Sequence, residues 1–184
     1  MADYFVEGGD VLENKLGITD PEQLREAEED AFSDTAADIL NEDLSGAILD
    51  FNFFKQLHGR LFGKVYPFAG QIRTVNITKQ DSSIPFCYAD FIEPEANRIF
   101  QDLEVKNYLK NETKAEFVDN IAELAMDLNA LHPFREGNGR TIRYANIKKT
   151  PRENRGLSSR RYVDISVKNN PQRGVILKSL LALR

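Results

Sequence analysis

The stretch His132-Pro-Phe-Arg-Glu-Gly-Asn-Gly-Arg-Thr-Ile-Arg143 contains an unusual concentration of chemically useful groups. An imidazole can abstract a proton near neutral pH, and a carboxylate can hold a divalent cation. Backbone N–H groups of a Gly-Asn-Gly run can wrap a polyphosphate, whose charge two guanidinium groups can neutralise. The alternative is a polar turn between two helices. Such a turn needs neither the histidine and glutamate nor both arginines.

The first half of this stretch suits proton transfer and metal binding. Pro133 disfavours helical geometry at the residue before it, so we expect a helix to end at His132 and to present the imidazole there. Phe134 is better suited to anchoring the loop in the core than to contacting a substrate. Glu136 could bind Mg²⁺, which proteins hold with one or two carboxylates and substrate phosphates.

The second half suits binding of a polyphosphate. Gly137 and Gly139 allow the backbone to approach a ligand closely, and a helix beginning near Asn138 would direct N–H groups and its positive dipole end at an anion. Arg140 and Arg143 lie three residues apart on one face of that helix. No Lys-Ser/Thr pair follows the glycines and no strand precedes them, which excludes the Walker loop and the dinucleotide fingerprint.

Helical patterns dominate the preceding chain. Asp20-Pro-Glu-Gln23 predicts a helix start, with the helix running through Ala31 and a second helical stretch over 34–40. Residues 50–62 place apolar side chains at helical spacing, and Gly63 ends that helix.

Further helices lead to the histidine. Pro94 opens one helix, and Thr113 with Glu116 has the spacing of a capping box. An apolar stripe behind this box predicts a central core helix that ends at His132: Phe117, Ile121, Leu124, Leu128 and Leu131. Pro151 limits the helix that follows the motif.

A β-hairpin is also predicted. Ile72–Ile77 alternates apolar and polar residues, Ile84–Tyr88 can return antiparallel to it, and Gln80–Ser83 forms a polar turn. A hairpin is marginal alone and must pack on the helices. Its edge could pair with the backbone of another chain, although a purely structural role is the alternative.

Composition describes one soluble domain. The 184 residues are 41% hydrophobic and 29% charged, there is no long apolar run, and the single Cys87 cannot form an internal disulfide, so a reducing cytoplasm is expected. Half of the 24 basic residues lie in 140–184, where only Glu153 and Asp164 are acidic. This basic region could bind a polyanion or an acidic partner, or be a solvated face. No nucleic-acid-binding motif is present, and neither membrane nor nucleic-acid binding is expected.

The run LHPFREGNGRTIR resembles the signature loop of Fic-domain enzymes, H-P-F-x-D/E-G-N-G-R-x-x-R, and every defining position is filled. The segment LFGKVYPFAGQIRTVNI resembles the family's lead into its flap hairpin. The resemblance implies a mainly α Fic fold, a helical bundle with a small β-hairpin flap beside the active-site loop. It implies a single domain over 1–184, with a core at about 50–147 and a divergent basic region at 148–184.

The resemblance further implies transfer of AMP from ATP to a Ser, Thr or Tyr hydroxyl of a protein target. The implied roles are as follows: His132 as the base, Glu136 as the Mg²⁺ ligand, Gly137, Asn138 and Gly139 as the anion hole, Arg140 and Arg143 as phosphate ligands, Phe134 as the loop anchor, and Val75, Asn76, Ile77, Thr78 and Lys79 as the target-docking flap. Relatives that act as kinases carry lysine in place of Gly139, and a relative that transfers phosphocholine lacks the Gly-Asn-Gly run, so adenylyl transfer is favoured.

Regulation by a second protein is the natural hypothesis. Many Fic enzymes are inhibited by a helix with the pattern S/T-x-x-x-E-G/N, whose glutamate pairs with the second motif arginine. These residues lack that pattern, so a small separate antitoxin would supply the glutamate to Arg143. The chain would then be a bacterial toxin or effector, with transfer into a host or recipient cell left open. The alternative is a catalytically silent Fic-fold module that binds a protein partner.

Overall fold

Five α-helices make up most of the part of the chain that the structure describes. The structure is a computed structural model, and it describes residues 4–42, 47–78 and 85–149. The helices are α1 Pro21–Asn41, α2 Phe51–Phe62, α3 Ile92–Val105, α4 Lys114–Leu131 and α5 Asn138–Lys149. The prediction of a mainly α class is therefore confirmed.

Helix starts follow the capping residues that the sequence indicates. The Asp20 carboxylate accepts a hydrogen bond from the Gln23 N–H at 2.9 Å. Thr113 and Glu116 form a complete capping box at the start of α4. Each cap satisfies amide groups that have no partner inside the helix, which fixes the residue at which the helix begins.

The prediction of two separate helical pieces in the first forty residues is wrong, because α1 is continuous. Its buried face includes Leu24 and Glu28 and continues with Ala36 and Ile39 at helical spacing. The continuous face packs against α2. This packing outweighs the weak helix propensity of the polar residues in the middle of α1.

The helices pack so that the loop between α4 and α5 lies inside the bundle. Helix α2 contacts α1, α3 and α5, and α4 contacts α3 and α5. Phe54 and Phe62 of α2 are fully buried, as is Phe134 of the connecting loop. Residues 132–137 are called the motif loop below. They rest on the α2 face and connect the two helices beside it.

The predicted hairpin is less regular than its alternating pattern suggests. Within the described ranges, the two legs meet at one antiparallel bridge, between Thr78 and Pro85, and the Phe86 N–H donates to the Ile77 carbonyl at 3.2 Å. The predicted strands are longer than the observed pairing, because backbone groups of the legs bond to the helices instead of to each other. The Cys87 N–H, for example, donates to the Ala130 carbonyl at 3.0 Å.

Parts of several predictions fall outside the described residues. They are Lys79, the turn Gln80–Ser83, Ile84 at the start of the return strand, and the basic region from residue 150 onward. Residues 75–88 are called the flap below, and statements about it concern 75–78 and 85–88. None of the helices within the described ranges combines the length and the apolar character that a membrane crossing requires.

Candidate active site

His132 terminates α4 and projects from its C-terminal end. Its backbone is left-handed, with φ 45° and ψ 60°, and its N–H donates to the Leu128 carbonyl. The side-chain Nδ1 lies 3.3 Å from the Asn129 carbonyl oxygen. Because a carbonyl only accepts, this contact assigns the proton to Nδ1 and leaves Nε2 with the lone pair. The Phe86 ring stacks on the imidazole, with centroids 3.7 Å apart.

The surroundings of His132 keep its imidazole neutral. Burial lowers the pKa of His132, the Asn129 carbonyl raises it by a smaller amount, and the nearby positive charge of Arg73 lowers it; together they leave the pKa at about 4. At neutral pH the side chain is therefore deprotonated and able to accept a proton.

Phe134 and Asn138 fix the shape of the motif loop. The Phe134 ring is fully buried and stacks on His58, with centroids 3.8 Å apart. The Asn138 side chain accepts from the Phe134 N–H at 2.9 Å and donates to the Phe134 carbonyl at 2.8 Å. Asn138 was predicted to line the anion hole, but its side chain is committed to closing the loop. Only its backbone N–H can serve an anion.

His58 of α2 supports the same loop from below. Its Nδ1 accepts from the Gly70 N–H at 2.7 Å, and its Nε2 lies 2.9 Å from the Glu136 carbonyl oxygen. Since Gly70 donates, the proton lies on Nε2, which donates to Glu136. Burial lowers the pKa of His58 to about 4 and keeps this neutral tautomer. The sequence places His58 in the apolar stripe of α2 but does not indicate that it bonds to the motif.

Gly137 begins the turn into α5, and only glycine fits there. Its φ is +79°, and an added Cβ would lie 2.5 Å from the Phe62 ring. The Gly137 carbonyl accepts from the Thr141 N–H at 3.0 Å and from the Thr141 hydroxyl at 2.9 Å. Helix α5 therefore starts directly after it. The first-turn amides, including that of Gly139, have no partner within the helix and can bind an anion.

The two carboxylate contacts of Arg140 connect the motif to α1. The guanidinium forms an ion pair with Glu28 of α1, and its Nη2 lies 3.5 Å from Oε1 of Glu136. It also lies over the rings of Phe32 and Phe62, at 5.3 Å and 4.7 Å from their centroids. Sequence analysis assigned Arg140 to a phosphate and missed Glu28. The available signal was a carboxylate in the buried stripe of α1.

Arg143 lies further along α5 and is half-buried. Burial, followed by the positive charge of Arg140, lowers the pKa of Arg143. A guanidinium retains its charge at any physiological pH despite such a shift. Arg140 and Arg143 thus place two guanidinium groups within the first two turns of α5, where their positive charge favours binding of an anion.

Arg73 joins the flap to the end of α4. Its side chain is only 1% exposed. The guanidinium donates to the carbonyl of His132 at 2.8 Å and to that of Val75 at 2.6 Å. It also donates to the carbonyls of Cys87 and, at 3.5 Å, Leu131. Both legs of the flap are therefore tied to the backbone that carries the histidine, a role that sequence analysis did not assign.

The flap residues alternate in exposure along their described part. Asn76 and Thr78 are exposed, whereas Val75 and Ile77 are partly buried. The Asn76 side chain accepts from the Ala89 N–H at 2.8 Å. An open groove of about 430 Å³ lies beside the return leg. Its walls include Phe86, Cys87, Tyr88, Phe91, Ala130 and Leu131.

Comparison with known families identifies this arrangement. The model of the Fic/DOC family matches residues 48–148, more than half of the chain. The chain belongs to the Fic/DOC family. The matched residues include α2, the flap and the whole motif, and α1 precedes them.

Relatives of this Fic/DOC chain are named as enzymes. A probable protein adenylyltransferase of Sinorhizobium fredii is 38% identical over 135 residues, covering 73% of this chain and 67% of the relative. A probable protein adenylyltransferase of Escherichia coli is 35% identical, covering 74% of this chain and 66% of the relative. The chain thus spans about two thirds of the length of these relatives. The prediction of a nucleotidyltransferase-type enzyme is confirmed by them.

A solved structure agrees with the fold. The Bartonella tribocorum effector protein BepC with bound AMPPNP superposes with a TM-score of 0.74 at 28% identity. The superposition covers 79% of this chain and 75% of that one. AMPPNP is an analogue of ATP, so a relative with this fold binds an analogue of a nucleoside triphosphate.

The single carboxylate of the Fic/DOC motif fits a divalent cation that keeps several of its water ligands. The Glu136 side chain is 43% exposed, and its Oε1 accepts from the Gly137 N–H at 2.8 Å. No group of three or more His, Cys, Asp or Glu side chains suited to a metal occurs in the described ranges. A cation at Glu136 would take its other ligands from water and phosphates, which suits Mg²⁺.

Proposed function

We propose that this Fic/DOC chain transfers AMP from ATP to a Ser, Thr or Tyr hydroxyl of a target protein. The observation that carries the proposal is the state of His132. Its imidazole is neutral, anchored through Nδ1, and separated by only the motif loop from the N-terminus of α5. A base and an anion site on one short rigid loop suit attack of a hydroxyl on a bound polyphosphate.

The reaction would use each group once. Nε2 of His132 takes the hydroxyl proton as the hydroxyl oxygen bonds to the α-phosphorus of ATP. The bond from that phosphorus to the bridging oxygen of the β-phosphate breaks, and pyrophosphate leaves with the bond's electrons. The first-turn amides of α5 and the side chains of Arg140 and Arg143 offset the phosphate charge. Bound Mg²⁺, held by Glu136, would supply further charge neutralisation.

The flap and its groove would receive the target. Asn76 and Thr78 are exposed, and the edge of a short β-bridge can accept another strand by backbone pairing. Phe86, which stacks on His132, also lines the groove. A target strand along the flap would therefore pass close to the histidine, and its neighbouring side chains could enter the groove.

The test is incubation with ATP labelled at the α-phosphate, Mg²⁺ and a bacterial or eukaryotic lysate. We expect label on protein bands, stable to denaturation. His132→Ala should lose transfer by at least about 10²–10⁴-fold yet keep nucleotide binding in calorimetry. Label that persists in His132→Ala, or label from the γ-phosphate in place of the α-phosphate, would contradict the proposal.

The second candidate is a catalytically silent module that binds a protein through the flap. The unusual exposure of Tyr88 and Phe91 beside the groove, at 54% and 60%, favours a protein-binding surface under either candidate. Nucleotide binding without label on any band, from protein purified free of other chains, would favour the module.

We also infer that a separate protein restrains this chain through Arg143. The support is the absence of the inhibitory S/T-x-x-x-E-G/N pattern from these residues and the position of Arg143 one turn into α5. A glutamate there would occupy the place of a phosphate charge. Co-purification of a small protein from the source bacterium, with activity gained on its removal, is the expected result. Full activity of the chain when that protein is present in excess would contradict it.

A further inference from the structure

Glu28 is an acidic residue buried beside the motif and supplied by an element outside it. It lies on α1, before the residues 48–148 that match the family model, and it is only 8% exposed. One carboxylate oxygen pairs with the Arg140 guanidinium, and the other accepts from the Tyr66 hydroxyl. Both oxygens of a buried charge are therefore satisfied, as burial requires.

Helix α1 holds Arg140 in more than one way. Phe32 follows Glu28 by four residues and lies on the same face of α1, and its ring lies under the Arg140 guanidinium. Phe62 of α2 provides a second ring at 4.7 Å. One ion pair and two ring contacts fix the plane of the guanidinium.

The two carboxylates near Arg140 are unequal. Glu28 is the closer partner, and its side chain is 10% exposed. Glu136 lies 3.5 Å away and is 43% exposed. A guanidinium offers a fork that a carboxylate can engage with both oxygens. Without Glu28, that fork would be available to Glu136, the proposed ligand of the cation.

We propose that Glu28 is a positioning residue of the active site. Tyr66 holds Glu28 in place, and Glu28 in turn holds Arg140. Arg140 therefore stays aligned beside the motif loop, and Glu136 stays available to the cation. This inference rests on the proposed function for its catalytic readout. It assigns a role to α1, which otherwise serves only as a packing helix.

The direct test compares Glu28→Gln with Glu29→Gln. Glutamine keeps the shape of Glu28 and an acceptor for Tyr66 but removes the charge that holds Arg140. Glu29 is the adjacent exposed carboxylate, paired with Arg25 on the surface. Disturbing an outer contact of a metal ligand typically costs 10–100-fold in metal affinity or activity, and Arg140 is such a contact of Glu136. We expect the Mg²⁺ concentration for half-maximal transfer to rise about 10-fold in Glu28→Gln and to stay unchanged in Glu29→Gln.

A double-mutant cycle separates positioning from general stability. If Glu28 acts through Arg140, the change Glu28→Gln should have no further effect on Mg²⁺ dependence in an Arg140→Gln background. Tyr66→Phe, which removes one of the two groups on Glu28, should give a smaller shift in the same direction. Thermal unfolding checks that each variant is folded under assay conditions.

The outcomes are distinct. Unchanged Mg²⁺ dependence in folded Glu28→Gln, or equal effects of Glu28→Gln with and without Arg140, would overturn the inference. Calorimetry of Mg²⁺·ATP binding to the same four proteins measures the Glu28–Arg140 coupling as a binding free energy, without a need for catalysis. A wild-type chain that binds Mg²⁺·ATP and transfers no AMP would refute the proposed function, while the Glu28–Arg140 coupling in binding would still stand or fall by itself.

Discussion

The motif loop begins with His132, and the flap packs on that residue through Phe86; the two regions differ sharply in how they are held. The loop is closed by Asn138 on the Phe134 backbone and rests on His58, and all three side chains are buried. The flap has a single bridge among its described residues and presents exposed side chains. A nucleotide site must place charges before the substrate arrives, and this requires a fixed backbone. A target site must accept a partner strand, and this requires an edge that is not already paired.

Arg73 is the link between these two regions. It bonds the carbonyls of Val75 and Cys87 at the two legs of the flap and the carbonyl of His132 at the loop. The base of the flap is therefore as firmly held as the loop. We therefore predict that substitutions in the motif loop reduce both the stability of the fold and nucleotide binding. Substitutions at the base of the flap should act mainly on the flap, where the target protein is proposed to bind.

The largest effect should come from Gly137→Ala. The new Cβ would meet the Phe62 ring at 2.5 Å, at a φ of +79°, so both sterics and backbone resist it. We expect the free energy of unfolding to fall by about 2–4 kcal/mol and nucleotide binding to be lost. Chemical denaturation and calorimetry measure these two quantities.

Gly139→Ala is the matched control for stability. A Cβ there meets nothing within 4 Å, and its φ is not positive. In the first turn of a helix this change should leave stability the same or raise it by up to about 1 kcal/mol. Equal destabilisation by the two substitutions would show that the motif loop does not hold a fixed backbone at Gly137.

The next effect should come from Arg73→Met, which leaves several buried carbonyls without their donor. We expect the free energy of unfolding to fall by about 2–4 kcal/mol and amide hydrogen exchange to be faster at Phe86 and Cys87. Exchange at Thr141, whose N–H bonds the Gly137 carbonyl, should change only as much as global stability does. Equal acceleration of amide exchange in the motif loop and in the flap would show that Arg73 stabilises the whole fold and does not specifically connect the flap to the loop.

A third effect is a pH dependence of stability caused by His58. Its pKa is about 4 in the folded chain and about 6.5 in the unfolded chain, so the unfolded state binds more protons between these values. Stability is therefore complete above about pH 6.5 and falls as pH drops toward 4, by about 3 kcal/mol for this group.

His58→Phe tests this dependence without removing the ring that stacks on Phe134. At neutral pH the variant should be less stable, because the Gly70 N–H and the Glu136 carbonyl lose their partner, by about 1–3 kcal/mol. That deficit should shrink as pH falls toward 4. A deficit independent of pH would show that His58 is not held neutral.

Sequence patterns predicted the elements whose cause is local, and missed those whose cause is distant. The starts of α1 and α4 follow from Asp20 and Thr113, because caps act within three residues. The continuity of α1 depends on packing against α2, and the short legs of the flap depend on bonds to α4 and the motif loop. No local pattern records these contacts.

The site shows the same division. The motif placed His132 at a helix end and Glu136 in the loop because the residues are adjacent. Glu28 and Arg73 lie far away in sequence, and only the fold brings them to the motif. For Glu28, a charged residue in the buried stripe of α1 was the available sign, but it did not identify a partner. Arg73 stands at a polar position of the alternating segment Ile72–Ile77, which gave no sign of its burial.

The left-handed backbone of His132 has a consequence for the choice between enzyme and silent module. A side chain other than glycine or asparagine costs roughly 1–2 kcal/mol in this conformation. If this position served only the shape of the motif loop, Asn or Gly would adopt its backbone conformation at lower cost. Under the proposed function His132→Asn should lose AMP transfer, while relief of this cost offsets part of the stability lost with the ring that stacks on Phe86. A parent that is no more stable than His132→Asn in chemical denaturation would favour the enzyme over the silent module.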